Sequence, residues 1–169
     1  HYTYHLFPRN VSTMATDASS LFSALVSAEL RAWNAVESAL CEANNPLSLG
    51  RFLVLRTVRD TPACRIQEVA ASQGITVGAA SRLVDRLHRD GLLHRTPCEH
   101  DRRATILTVT DTGMTHLASA EAIVTAEQER LLAPLSTAQR EHLAHALALI
   151  DEAADPTAGN VQGCGKGRA

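Results

Sequence analysis

Two glycines, Gly74 and Gly91, enclose the sixteen residues ITVGAASRLVDRLHRD, and that interval restricts the chain more than any other. Within it Ala80, Leu83, Val84 and Leu87 recur at the three-to-four spacing that lays one apolar stripe along a helix. Thr76 stands where an N-cap hydroxyl satisfies the first free amides, and Gly91 supplies a terminator. Upstream, RIQEVAASQG predicts a short helix that ends at Gly74. Two short helices joined through Gly74 and Ile75 have the sequence form of a helix-turn-helix. Downstream, LLHRT and ATILTV are strand-compatible runs separated by the charged stretch PCEHDRR. They predict a hairpin with a polar tip, a wing.

The flanks are helical too. From Ser20 to Leu40, the residues Phe22, Val26, Leu30, Trp33, Val36 and Leu40 predict a helix burying one stripe, broken by Asn44 to Pro46. Ser48 is the expected cap of a further helix through Leu49, Phe52, Leu53 and Val58. Beyond the wing, a long helix is predicted from Thr110 to Pro134. Ser136 and Gln139 form a capping-box pattern before a last helix with the stripe Leu143, Leu147 and Ile150. The expected organisation is an N-terminal extension over 1–19, in which Met14 opens the stretch MATDASS, a domain over 20–155, and a disordered Gly-rich tail over 156–169.

Charge is distributed unevenly. The net charge is −2, yet Arg51 to Arg103 hold ten arginines against six acids, while the remainder holds six basic and twelve acidic residues. A basic middle between acidic ends suits a protein that turns one face to a polyanion, or is ordinary scatter. No apolar run approaches the ~18 residues that cross a bilayer, and the chain reads as cytoplasmic. No nucleophile with a base, paired-carboxylate cleft or phosphate-cradling glycine loop has a signature, so no enzyme and no cofactor are expected. His142 and His145 lie three apart on the last helix, with His116 elsewhere; no ligand set is completed, and no metal is expected. Cys41, Cys64, Cys98 and Cys164 lack disulfide or zinc spacing and read as reduced thiols.

The string ITVGAASRLVDRLHRDGLLHR…EHDRRATILTVTDTGMTHL resembles the MarR family of winged helix-turn-helix transcription regulators. The resemblance is carried by Ser81 to Leu87, then Gly91-Leu92, then Asp101-Arg102-Arg103, and is sharpest from Ile66 to Leu117. It implies a mainly α fold with a small β-hairpin wing, a winged helix-turn-helix over about 47–109, and dimerisation helices over about 20–43 and 110–155. Cys64 departs from the Ser, Thr or Asp usual as the cap before the motif's first helix. The polar face of the second helix carries Ser81, Arg82, Asp85 and Arg86 opposite its apolar stripe. Its first turn, Thr76, Val77 and Gly78, is small enough to approach a phosphate or a thymine methyl. Arg82 or Arg86 is expected to read a base edge, the alternative being a brace to Asp85 or to a wing acid. The resemblance places Arg103 in a minor groove, Arg102 near phosphates and Asp101 as the residue that holds the wing's shape, the other reading being a solvated, charge-decorated turn.

The resemblance further implies a homodimeric repressor on a pseudo-palindromic double-stranded DNA operator, released by a small-molecule effector such as an aromatic acid or phenol. Trp33 is a candidate pocket wall and Arg31 a candidate carboxylate partner, with plain dimer core as the other reading of Trp33. Two different functions stay open at this point. One is a redox-sensing regulator working through a cysteine such as Cys98 or Cys41. The other is a winged-helix protein-interaction module that binds no DNA.

Overall fold

The computed structural model describes residues 17–98 and 101–154, with side chains described for 17–97 and 105–154. Helix α1 (Ala18–Glu42) starts where the Asp17 carboxylate accepts the Ser20 amide at 3.0 Å. It is longer than its predicted span by two residues at each end. Only Val36 and Leu40 of its expected stripe are buried; Phe22, Val26, Leu30 and Trp33 stand exposed in the single chain. Periodicity located the apolar face correctly but does not say what covers it. Helix α2 (Leu49–Asp60) is capped by Ser48, whose hydroxyl accepts the Arg51 amide at 3.4 Å.

Helices α3 (Ile66–Gln73) and α4 (Val77–Arg89) are joined at Gly74, which adopts a left-handed φ of 60°. That conformation lets the Ile75 amide reach back to the Ala70 carbonyl at 3.0 Å. Gly91, at φ 73°, closes α4 in the same way, with the Leu92 amide on the Leu87 carbonyl at 2.9 Å. Thr76 caps α4 through the Ala79 amide at 3.2 Å. At the start of α3 the cap is Arg65 rather than Cys64. The Glu68 carboxylate takes the Arg65 amide at 2.9 Å. Cys64 is instead fully buried, and its carbonyl accepts the Leu107 amide at 2.8 Å, which stitches the hairpin to the turn before α3. Burial, with the nearby Glu68 charge adding to it, pushes the Cys64 thiol up to about 11.

Strands β1 (Leu93–Cys98) and β2 (Asp101–Val109) form an antiparallel pair with Leu93 opposite Val109 and Pro97 opposite Thr105. The strands run further into the charged segment than predicted. Cys98 pairs with Asp101, so one step along β1 is matched by four along β2. Arg102 and Arg103 therefore belong to an irregular stretch of β2, not to a free loop at the tip. Pro97 has no amide to donate, which favours a break in the ladder there.

Helix α5 (Asp111–Leu132) begins one residue after Thr110, which caps it: the Thr110 hydroxyl accepts the Gly113 amide at 3.0 Å. The same hydroxyl donates to the Gly91 carbonyl at 2.8 Å, and the Thr110 amide donates to the Leu92 carbonyl at 3.1 Å. The chain divides into two compact units, one ending at Gln128 and the other beginning at Glu129. In the first, Phe52, Leu55, Val69, Val84, Leu87, Leu93, Leu107 and Leu117 make a continuous apolar interior. Arg59 of α2 grips Glu121 of α5 through two hydrogen bonds of 2.8 and 3.1 Å and also holds Asp60. In the second unit, α6 (Thr137–Ala154) follows the expected capping box, with the Gln139 amide on the Ser136 hydroxyl at 3.3 Å and the Ser136 amide on the Gln139 side chain at 2.9 Å. No described residue from Glu129 onward is buried, and Leu143, Leu147 and Ile150 are exposed.

Two outcomes follow from this packing. A Cβ on Gly113 would overlap the Leu92 carbonyl oxygen and stand 2.7 Å from Val109 Cγ1. Gly113→Ala is therefore expected to destabilise the fold by about 1–3 kcal/mol in urea denaturation, the usual cost of forcing extra volume into a packed site. The Arg59 guanidinium holds the Glu121 carboxyl below its ordinary value. The stability gained from that pairing is complete above the ordinary carboxylate range and is lost as pH falls through the lowered value. Glu121→Gln should lower the melting temperature at neutral pH, with the gap to the parent closing in acid.

Candidate nucleic-acid interface

Helix α4 presents two different faces. Ala80, Val84 and Leu87 are fully buried and Leu83 is half-buried, whereas Thr76, Val77, Gly78, Arg82 and Arg86 are exposed and Ser81 is half-exposed. The expected site residues on this helix thus share its outward side. Its first turn is open: nothing lies within 4 Å of a Cβ placed on Gly78. Another backbone or a base edge can approach there without displacing protein atoms. Thr76 accepts the Ala79 amide, and its hydroxyl hydrogen is left to donate outward.

The brace between Asp85 and Arg82 or Arg86, one of the alternatives to base contact, does not form. Asp85 instead forms an ion pair with Arg95 of β1. Arg82 and Arg86 have no ion-pair partner among the described residues. Arg95 is the residue that sequence reasoning missed. Its only trace was a basic side chain early in β1, ten positions from an acid on α4, and nothing in that spacing shows that the two meet. A second tie lies close by, where His88 Nδ1 meets the Leu93 carbonyl at 2.8 Å. Helix α4 and strand β1 are thereby fixed to each other by an ion pair and a hydrogen bond. A partly exposed pair of this kind adds modestly to stability, but it sets direction.

Asp101, Arg102 and Arg103 have described backbone in β2, and their side chains lie outside the described residues, as does the side chain of Cys98. Cys164 and the stretches 1–16 and 155–169 also lie outside them. Cys41 is exposed and Cys64 buried. Arg31 and Trp33 are both exposed on α1, but two residues apart they point to opposite sides of the helix and do not face each other. Among the described residues no group of three or more His, Cys, Asp or Glu side chains is placed to hold a metal, and no helix is long and apolar enough to cross a membrane.

This geometry can be set beside known proteins. A family model described as MarR family matches residues 47–105, which hold α2 through most of the hairpin. The HTH-type transcriptional regulator BilQ of Clostridium symbiosum (strain WAL-14163) is 29% identical over 97 residues, covering 57% of this chain and 67% of that relative. The solved structure of the transcriptional repressor CouR bound to a 23-mer DNA duplex is 32% identical, with a TM-score of 0.71, covering 78% of this chain and 92% of that one. A MarR family transcriptional regulator from Streptomyces coelicolor, in complex with DNA, is 18% identical and has a TM-score of 0.77, covering 89% of this chain and 96% of that one. That last likeness is one of fold. With the model seated on the helix-turn-helix and hairpin, and a 32% identical repressor matched over nearly its whole length, this chain belongs to the MarR family of winged helix-turn-helix transcriptional regulators and is not an enzyme.

Proposed function

We propose that this chain is a cytoplasmic, homodimeric repressor that sets α4 into the major groove of a pseudo-palindromic operator and is released by a small-molecule effector. The observation that carries the reading is the outward face of α4, where Arg82 and Arg86 stand exposed and unpaired above an open, small-residue first turn. A groove about 12 Å wide admits a helix whose leading face is small and whose arginines reach past the backbone. In this reading Thr76, Val77, Gly78 and Ser81 approach the duplex, while Arg82 and Arg86 grip guanine edges. Arg103 enters the minor groove, Arg102 meets phosphates and Asp101 braces the wing. The relative CouR, bound to DNA, supports the same mode.

Dimerisation is supported by what the single chain leaves uncovered. Leu21, Phe22, Val26, Leu30 and Trp33 form a largely apolar, exposed run on α1, and Leu143, Leu147 and Ile150 another on α6. Each large apolar side chain buried contributes roughly 1.5–3 kcal/mol, so covering either run with a second copy is strongly favourable. A two-fold dimer spaces its recognition helices for half-sites one DNA turn, ~34 Å, apart. Effector release rests on α1, where Trp33 offers an aromatic wall; Arg31, on the opposite side of that helix, does not share it.

Two measurements test this. Duplexes selected from a random pool by the full-length protein define its preferred site. On that site Arg82→Ala or Arg86→Ala should cost ~1–3 kcal/mol and flatten discrimination at one base pair per half-site. Equal weakening on all sequences by both variants would remove base reading from these residues. Leu30→Asp and Leu147→Asp should each shift the mass measured by light scattering from dimer to monomer while retaining helical circular dichroism. Both side chains are exposed in the single chain, at 55% and 42%, so neither change unpacks the interior. Unchanged mass in both variants would overturn dimerisation through these helices.

A further inference from the structure

A hollow lies between the first turn of α2 and the last two turns of α4, lined by Ser48, Gly50 and Arg51 on one side and Arg86, Arg89 and Asp90 on the other. Three arginines face one acid. Asp90 takes a single Arg51 nitrogen at 2.5 Å, while Arg51 Nε is shut off from solvent with no hydrogen-bond partner. Arg86 and Arg89 have no ion-pair partner among the described residues. On the α2 side the Leu49 amide is taken by Glu37 and the Arg51 amide by Ser48. The Gly50 amide has no acceptor among the described residues, and nothing lies within 4 Å of a Cβ placed there. A cation cluster with one unsatisfied buried donor and an open approach is built for a multi-oxygen anion.

We propose that this hollow binds a phosphate group, and that the DNA backbone beside the recognition-helix contacts supplies it. The second clause rests on the DNA-binding reading above. Arg82, Arg86 and Arg89 sit at positions i, i+4 and i+7 and so form one ridge of α4. The ridge spans ~10 Å, the axial length over which one strand presents about three phosphates. It begins among the proposed base contacts and ends in the hollow. Arg51 then extends the same positive track onto α2, one element beyond the helix-turn-helix.

The test is the salt dependence of binding by the full-length protein to its selected duplex. Arg51→Ala and Arg89→Ala should each flatten the slope of log K against log salt by about 0.9 and leave base preference unchanged, while Arg89→Lys keeps the slope. Asp90→Asn should tighten binding, because it removes the one acid that lines the hollow among the described residues. Unchanged slopes in both alanine variants, with melting temperatures confirming folded protein, would overturn the DNA assignment; so would altered base preference. If the parent protein binds no duplex at all, the DNA-binding reading fails on its own. Titration with inorganic phosphate then decides the first clause. Shifts of the Arg51 Nε–H resonance that vanish in Arg89→Ala would retain a phosphate site, and no shift would overturn it.

Discussion

The Leu92 carbonyl sits where three elements cross. It accepts the Thr110 amide at 3.1 Å, it follows the left-handed turn that ends α4, and the Gly113 backbone of α5 packs so closely against it that no side chain fits between. One residue back, the Gly91 carbonyl receives the Thr110 hydroxyl. The end of α4, the base of the hairpin and the start of α5 are therefore pinned to one another by backbone groups and a single threonine side chain. Backbone hydrogen bonds of this kind are hard to exchange for others once the surrounding Leu87, Leu93, Leu107 and Leu117 have excluded water. What α4 presents outward depends on that pin, because a helix anchored at its last turn and capped at its first cannot rotate its faces.

Further ties carry the anchoring outward. Asp85 to Arg95 and His88 to Leu93 lock the recognition helix to β1, and the Leu107 amide on Cys64 locks β2 to the turn before α3. The Arg59–Glu121 pair and the Asn45–Ser119 hydrogen bond join α2 and the loop before it to α5. The ion pairs among these are worth little alone at partial exposure. Their value is geometric, since each joins elements far apart in sequence. Helix α5 before Gln128 is thus tied directly to α2, on which α3 and α4 pack.

Much of this was legible in residue types. The left-handed glycines at 74 and 91, the caps at Ser48 and Thr76, and the capping box at Ser136 and Gln139 are local devices whose chemistry needs no tertiary context, and each stands where it was expected. Long-range choices were not legible. Strand pairing continued into PCEHDRR because main-chain groups, not side-chain types, decide how far a ladder runs. The α1 stripe was visible, but its exposure in one chain depends on a surface the sequence does not display. Cys64 looked like a poor cap; its backbone carbonyl and buried thiol serve the hairpin junction, a role that only β2 reveals.

The uneven charge of the chain also acquires a cause. Between Arg51 and Arg95 three of the four acids are spent on arginines that hold the scaffold, Asp90 on Arg51, Asp60 on Arg59 and Asp85 on Arg95, with Glu121 drawn in from α5. Arg56 lies over the Phe52 ring. The cations left without an acid on α4 are Arg82, Arg86 and Arg89, along one ridge. A chain of net charge −2 thus carries a local positive potential without a large basic surplus, because neutralisation is selective. Acidic flanks lower attraction to polyanions in general, while a positive ridge on one rigid helix preserves attraction for a polyanion that fits it. For a regulator that must leave most of a genome unbound, that balance favours discrimination over bulk affinity.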